Sequence, residues 1–179
     1  MKNNLIIIES GQLNTYALDD KRVWKIGRPC KNNALDIKLY SMTISRQHGT
    51  FENMDGIWFY IDNYGKNGTV CNGKRMKSGL NGSIKPKLLE HGDIFVFGGG
   101  EEARINGQTV WALFSTKEYN TPWNIVDTKG YTILTFSDGE KIDSYEKPVK
   151  GMVVEQQKGI GIYMGNITYV SGDLQVQGG

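Results

Sequence analysis

The stretch His48-Gly49-Thr50-Phe51-Glu52-Asn53-Met54-Asp55-Gly56-Ile57-Trp58-Phe59-Tyr60-Ile61-Asp62 decides how the rest of the chain is read. Two runs rich in aromatic and β-branched residues, His48 to Asn53 and Ile57 to Asp62, flank Met54-Asp55-Gly56. An Asp-Gly pair between such runs supplies the positive φ angles that a tight hairpin turn needs. Working outward, Thr69 to Cys71, Asn72-Gly73 and Lys74 to Met76 repeat that logic. Upstream, Leu5 to Glu9, Thr15 to Leu18 and Val23 to Ile26 read as strands, with Gly11-Gln12-Leu13-Asn14 as a turn. Leu35, Ile37 and Leu39 alternate with Asp36 and Lys38, the period of a half-buried strand. Downstream, Ile94 to Phe97 and Val110 to Phe114 close the series. No long segment keeps a helical period. Many short strands, 23 Gly and only 4 Pro point to an all-β sandwich with tight turns.

After Thr121-Pro122 the pattern is again β, in Trp123 to Val126, Tyr131 to Phe136, Val149 to Glu155, Gly159 to Met164 and Ile167 to Val170. The expected organisation is a sandwich over residues 1–118 and a small β-rich module over 119–179, with Gln175 to Gly179 frayed. The four tryptophans, Trp24, Trp58, Trp111 and Trp123, read as core or sheet-surface residues.

The formal net charge is +2, so bulk charge calls for neither nucleic acid nor membrane as partner. Residues 1–118 hold 16 Lys and Arg against 12 Asp and Glu, and residues 119–179 hold 5 against 7. Cys30 and Cys71 are too few and too far apart for a metal cluster or a disulfide framework, and both read as free thiols. The apolar run Leu5-Ile6-Ile7-Ile8 is too short for a leader core or a membrane span. A cytoplasmic protein is expected.

Three strings carry the chemistry: Gly27-Arg28, Ser45-Arg46-Gln47-His48, and Asn67-Gly68-Thr69-Val70-Cys71-Asn72-Gly73. Each lies at a strand end, and strand ends of a sandwich project loops at its edges. Arg28 and Arg46 offer planar forks for phosphate oxygens. Ser45 offers a hydroxyl, and Gly-flanked turns offer backbone N–H groups. The amide of Asn67 suits the main chain of an extended peptide. No nucleophile, general base, metal set or cofactor motif accompanies these residues. The inventory suits holding a phosphate, and a binding protein rather than an enzyme is expected.

In order and spacing, these strings resemble the signature of the forkhead-associated (FHA) domain, over roughly residues 1–117. The resemblance implies an eleven-stranded β-sandwich that binds phosphothreonine peptides through loops at one end. It implies that Arg28 pairs with the phosphate and that Ser45 donates to it. Arg46 would flank the same pocket, Lys66 would face the ligand, and Asn67 would hold the peptide main chain. Gly27, His48, Gly68, Thr69, Asn72 and Gly73 would shape the loops. The implied partner is a threonine-phosphorylated protein or peptide, such as a Ser/Thr kinase or its substrate. One departure is Gly65, where the family usually has Ser, two positions before the Asn.

Some residues read more plainly. His48 reads as a structural hydrogen-bonder, His91 as a turn residue, and Gly98-Gly99-Gly100 as a flexible loop with Glu101-Glu102 at its tip. The alternative function is a phosphate-independent scaffold or assembly protein that keeps the fold. A self-masking variant, with the acidic second part over the site, also fits the charges. Its Thr135-Phe136-Ser137-Asp138 match falls in an expected strand and reads as chance.

Overall fold

The computed structural model describes residues 2–63, 65–76, 84–99, 109–119 and 122–178. The chain divides into two compact bodies, Met1–Glu118 and Tyr119–Gly179. Among the described residues the only helical element is one 3₁₀ turn, Leu18–Asp20. No helix among them is long and apolar enough to cross a membrane.

The first body is a two-sheet sandwich. Its six-stranded sheet is built from β1 (Asn4–Glu9), β2 (Gln12–Ala17), β7 (Thr69–Cys71), β8 (Lys74–Arg75), β10 (Ile94–Phe97) and β11 (Val110–Ser115), in the order β2-β1-β11-β10-β7-β8. Its five-stranded sheet holds β3 (Val23–Gly27), β4 (Ile37–Lys38), β5 (Gly49–Met54), β6 (Ile57–Asp62) and β9 (Lys87–Leu88), in the order β4-β3-β5-β6-β9. Most strands turn one face inward by alternation, while β1 is buried on both faces from Leu5 to Ile8. Leu5, Ile7, Phe95, Phe97, Ala112 and Phe114 from one sheet meet Trp24, Ile26, Phe51, Trp58 and Tyr60 from the other in a single core. Full burial of one such aromatic or aliphatic side chain is worth about 1.5–3 kcal/mol. Phe51, Tyr60, Phe95 and Phe97 form the centre, with Phe51 and Tyr60 centroids 4.7 Å apart.

The two expected hairpins form as read. Asp55 and Gly56 have φ of 54° and 86°, and Asn72 and Gly73 have 51° and 84°. The first turn differs from its expected place. Ser10 and Gly11 take the positive φ angles, so β2 already starts at Gln12. The expected strand Leu35 to Leu39 shortens to Ile37–Lys38, which runs parallel to β3. Its extra length is replaced by a side-chain contact, because Asp36 accepts from the Lys25 N–H (2.8 Å) and pairs with Lys21. β9 carries no periodic signal in two residues.

The second body also has two sheets, β12-β17-β16-β15 and β14-β13-β18. They comprise β12 (Asn124–Asp127), β13 (Ile133–Asp138), β14 (Lys141–Glu146), β15 (Val153–Gln156), β16 (Gly159–Tyr163), β17 (Ile167–Gly172) and β18 (Gln175–Gly178). Leu134, Phe136, Val154, Tyr163, Val170 and Leu174 fill the core. Gly161 is the close approach here, since a Cβ would stand 2.6 Å from the Phe136 ring. Gln175–Gly178, expected to fray, is instead a strand paired with β13. Thr135 lies within β13.

Candidate functional site

Loops between the strands of the first body bring Arg28, Ser45, Arg46, Lys66 and Asn67 to one concave surface of about 750 Å³. Cys30, Asn32, Asn33, Met42, Ile44 and Gln47 complete its lining. Among the described residues no carboxylate lines it. No acidic side chain pairs with Arg28, Arg46 or Lys66 among the described residues. Lys31, next to Cys30 in the same loop, is exposed and outside the lining.

Three of these side chains, those of Arg28, Ser45 and Asn67, are tied to the loops by a hydrogen bond. Arg28 follows β3, and its backbone N–H donates to the Ser45 carbonyl (3.0 Å). Its Nε donates to the Ile44 carbonyl (3.0 Å), which leaves both terminal nitrogens for the surface. Ser45 Oγ accepts the Lys66 backbone N–H (2.9 Å) and keeps its own proton to donate. Asn67 Nδ2 donates to the Thr43 carbonyl (3.0 Å), which leaves Oδ1 as a free acceptor. The Gly65-for-Ser departure therefore does not remove the bond that joins the Lys66 loop to Ser45.

Close backbone approaches hold these loops. A Cβ on Gly27 would lie 2.3 Å from the Arg46 carbonyl oxygen, so only glycine lets the two Arg-bearing segments meet. Gly98 and Gly99 do the same beneath Thr43 and Asn67, where a Cβ would stand 2.1 Å from Thr43 Oγ1 and 2.0 Å from the Asn67 carbonyl. The sequence reading of these glycines as a flexible loop is corrected at both positions. Gly100, Glu101 and Glu102 lie outside the described residues.

His48 is buried beneath the site. The Ser45 backbone N–H donates to its Nδ1 (3.1 Å), so the neutral ring carries its proton on Nε2. Nε2 donates to Thr69 Oγ1 (2.7 Å), and that hydroxyl donates to Asp62 Oδ1 (2.6 Å). Tyr60 adds a second donor to the same oxygen (2.8 Å). Burial holds the imidazole below its ordinary pKa, against the opposing pull of Asp62. Burial and Asp62 push the Tyr60 phenol well up, which keeps it protonated as a donor. The expected structural role of His48 thus has a partner, Asp62, that sequence proximity did not reveal.

Asn72 closes its hairpin turn onto Asp93, donating from Nδ2 to Oδ1 (2.8 Å) and accepting the Ile94 N–H at Oδ1 (2.9 Å). Neither Asn72 nor Gly73 lines the site. Asn33 was passed over in sequence. Its Nδ2 donates to the carbonyls of both Arg28 (3.0 Å) and Arg46 (3.1 Å), and its Oδ1 accepts the Cys30 N–H (2.9 Å). The available signal was the habit of Asn to bond backbone within turns. Cys71 is buried, and burial pushes its thiol up to about 11.

Comparison with known proteins gives one family. The FHA domain model matches residues 24–98. Among solved structures, the yeast Pml1 splicing factor is 21% identical with a TM-score of 0.51, covering 64% of this chain and 78% of that chain. Full-length yeast Pml1p is 21% identical with a TM-score of 0.50, covering 64% and 81%. An engineered FHA with a Myc-pTBD peptide is 21% identical with a TM-score of 0.49, covering 66% and 93%. At these identities the likeness to the two Pml1 structures speaks for the fold alone. No curated protein matches the chain.

Proposed function

We propose, from the premise that this chain is an FHA-domain protein, that it is a binding module for threonine-phosphorylated peptides. The observation that supports this most is a concave surface lined by Arg28, Arg46 and Lys66, with no carboxylate in its lining among the described residues. A phosphate dianion supplies the missing charge. The two terminal nitrogens of Arg28, the Ser45 hydroxyl and the Arg46 fork are the donors for it. Asn67 Oδ1 takes a main-chain N–H of the peptide, which fixes the chain beside the phosphate. His48 has both ring nitrogens committed to the scaffold, so it serves the loop and does not act as a base.

In this reading the protein is a cytoplasmic adaptor in Ser/Thr kinase signalling, and its partner is a phosphorylated kinase or kinase substrate. No step of this reading uses a cofactor. The test is titration of the full chain with a phosphothreonine peptide library and the matching unphosphorylated peptides. Binding that needs the phosphate, and that Arg28→Ala weakens by roughly 30-fold or more with the fold intact, is expected. Two charge-assisted hydrogen bonds at about 1.5–3 kcal/mol each, discounted for partial solvent exposure, set that scale. Equal affinity for both peptide forms refutes the reading and leaves a phosphate-independent scaffold.

A further inference from the structure

A second concave surface includes Arg75, whose guanidinium packs at Gly68. It measures about 370 Å³ and is lined by Cys71, Met76 and Pro86 together with four cations, Lys74, Arg75, Lys85 and Lys87. Only Lys87 has an acidic partner among the described residues, Asp93 at 3.2 Å. Lys74, Arg75 and Lys85 line the same hollow with no acidic partner among the described residues. Apolar walls beside like charges focus the field in such a hollow and raise its attraction for anions.

Arg75 joins this surface to the first. Its guanidinium lies 3.1 Å from where a Cβ on Gly68 would stand. Gly68 has φ of 90° and follows Asn67, which lines the first site. Consecutive Cα atoms are about 3.8 Å apart, so the guanidinium sits within about 8 Å of the Asn67 backbone. An extended peptide covers that distance in about two or three residues. A glycine at 68 therefore does two things. It takes the left-handed turn conformation, and it leaves room for Arg75 to lie against the turn that grips the ligand.

We propose that Arg75, Lys74 and Lys85 form a second anion subsite on the same peptide track. The subsite takes a carboxylate or a second phosphoryl group a few residues from the phosphothreonine. This rests on the phosphopeptide reading above and narrows the ligand class to acidic or multiply phosphorylated peptides. Two bonds of Arg75 to one anion are the specific contact, and the lysines act as point charges around it. A nucleic-acid backbone is the competing occupant. The hollow's size, and its continuity with Asn67 through Gly68, favour one peptide side chain.

The test measures affinity of the full chain by fluorescence anisotropy. One phosphothreonine peptide is compared with versions carrying Glu or phosphoserine at about two to five residues on either side. A second acidic group at the matching spacing is expected to tighten binding roughly five- to twenty-fold, with the gain shrinking as salt rises. The Lys74→Ala/Lys85→Ala double variant and Arg75→Ala are expected to lose that gain. The double variant should still hold the singly phosphorylated peptide within roughly two-fold, because it leaves the Gly68 contact untouched. A larger gain for phosphoserine than for Glu assigns a phosphate ligand, and equal gains assign a general acidic one. The inference is overturned if the peptide binds through its phosphothreonine but no second group helps at any spacing. It is also overturned if the gain survives the substitutions, or if an oligonucleotide occupies this surface while acidic peptides gain nothing. If no phosphothreonine peptide binds at all, the function reading falls together with this one.

Discussion

Replacing Thr69 with Val tests the polar network that carries the site on the hydrophobic core. Thr69 is fully buried, and its hydroxyl bridges His48 Nε2 and Asp62 Oδ1 at 2.7 and 2.6 Å. Val keeps the shape and deletes the bridge. The His48 Nε2–H then faces Asp62 Oδ1 at 3.7 Å, beyond hydrogen-bond reach. The ring cannot simply swing to close that gap. Nδ1 is held by the Ser45 N–H, and the ring lies edge-on to Phe97 at 5.5 Å.

An unsatisfied buried donor costs about 1–3 kcal/mol, and one lost hydrogen bond to a carboxylate about 1.5–3 kcal/mol. An extra buried methyl returns about 0.8 kcal/mol. The net expected loss is about 2–5 kcal/mol, a large share of the roughly 5–15 kcal/mol that holds a domain together. Urea unfolding followed by the fluorescence of the buried Trp24 and Trp58 reads it, with an expected fall in melting temperature on the order of 10 °C. Thr50→Val is the control. Thr50 is half-buried and bonds only Glu52 on its own strand, so its loss should stay within about 0.5 kcal/mol. Because Ser45 is tied to His48, phosphopeptide affinity should fall with Thr69→Val as well. A stability change of Thr69→Val no larger than that of the control would refute the bridging role.

Other expected outcomes concern pH and the glycines. His48 has its pKa lowered from 6.5 by burial, so the unfolded chain binds the proton more readily. Stability should therefore be complete above pH 6.5 and fall as the pH drops towards the lower folded value, by at most about 1.4 kcal/mol per unit. Denaturation midpoints between pH 5 and 8 check this. Gly27→Ala places a methyl 2.3 Å from the Arg46 carbonyl and 3.0 Å from the Ser45 carbonyl, and should weaken peptide binding roughly ten-fold or more while costing about 1–3 kcal/mol. A Cβ on Gly65 would stand 2.9 Å from Asp62 Oδ2, and that oxygen has no hydrogen-bond partner among the described residues. Gly65→Ala should destabilise by crowding, and Gly65→Ser should recover roughly 1 kcal/mol of that by donating its hydroxyl to Asp62; chemical denaturation of the pair decides it.

Legibility in the sequence followed the range of the interaction. Asp55-Gly56 and Asn72-Gly73 were readable because a positive φ is a local demand with a local answer. The strings around Arg28, Ser45 and Asn67 were readable as strings, because loop chemistry is written in consecutive residues. Asp62 was not, since its partners Tyr60, Thr69 and His48 come together only when β5, β6 and β7 pack. Gly98 and Gly99 were misread for the same reason: their requirement is the nearness of Thr43 and Asn67, far away in sequence. β14 and β18 carry too few inward apolar residues to show a period. Lys141, Ile142 and Ser144 of β14 are exposed, and in β18 only Val176 is partly buried. Pairing with β13 makes them strands, and one chain segment read alone cannot show pairing.

In the proposed function, a division of labour inside three of the site residues is what would let exposed loops hold a phosphate firmly. Arg28, Ser45 and Asn67 each give one polar atom to the scaffold and keep another for the ligand. The scaffold bond removes rotamers before binding, so less side-chain entropy is lost when the ligand arrives, on a scale of about 0.5–1.5 kcal/mol per immobilised side chain. The scaffold partners are carbonyls of Ile44 and Thr43 and the amide of Lys66, all within the loops that Gly27, Gly98 and Gly99 bring together. Those loops in turn rest on His48, and through Thr69 and Asp62 on Tyr60 in the aromatic core. Arg46 and Lys66 lack such anchors, since their side chains have no partner among the described residues. They contribute long-range attraction more than geometry. Salt should therefore weaken the contributions of Arg46 and Lys66 more than that of Arg28. Alanine substitutions compared at low and high ionic strength separate the two kinds of contribution. An Arg28→Ala effect that fades with salt as fast as the Arg46→Ala effect would remove the distinction.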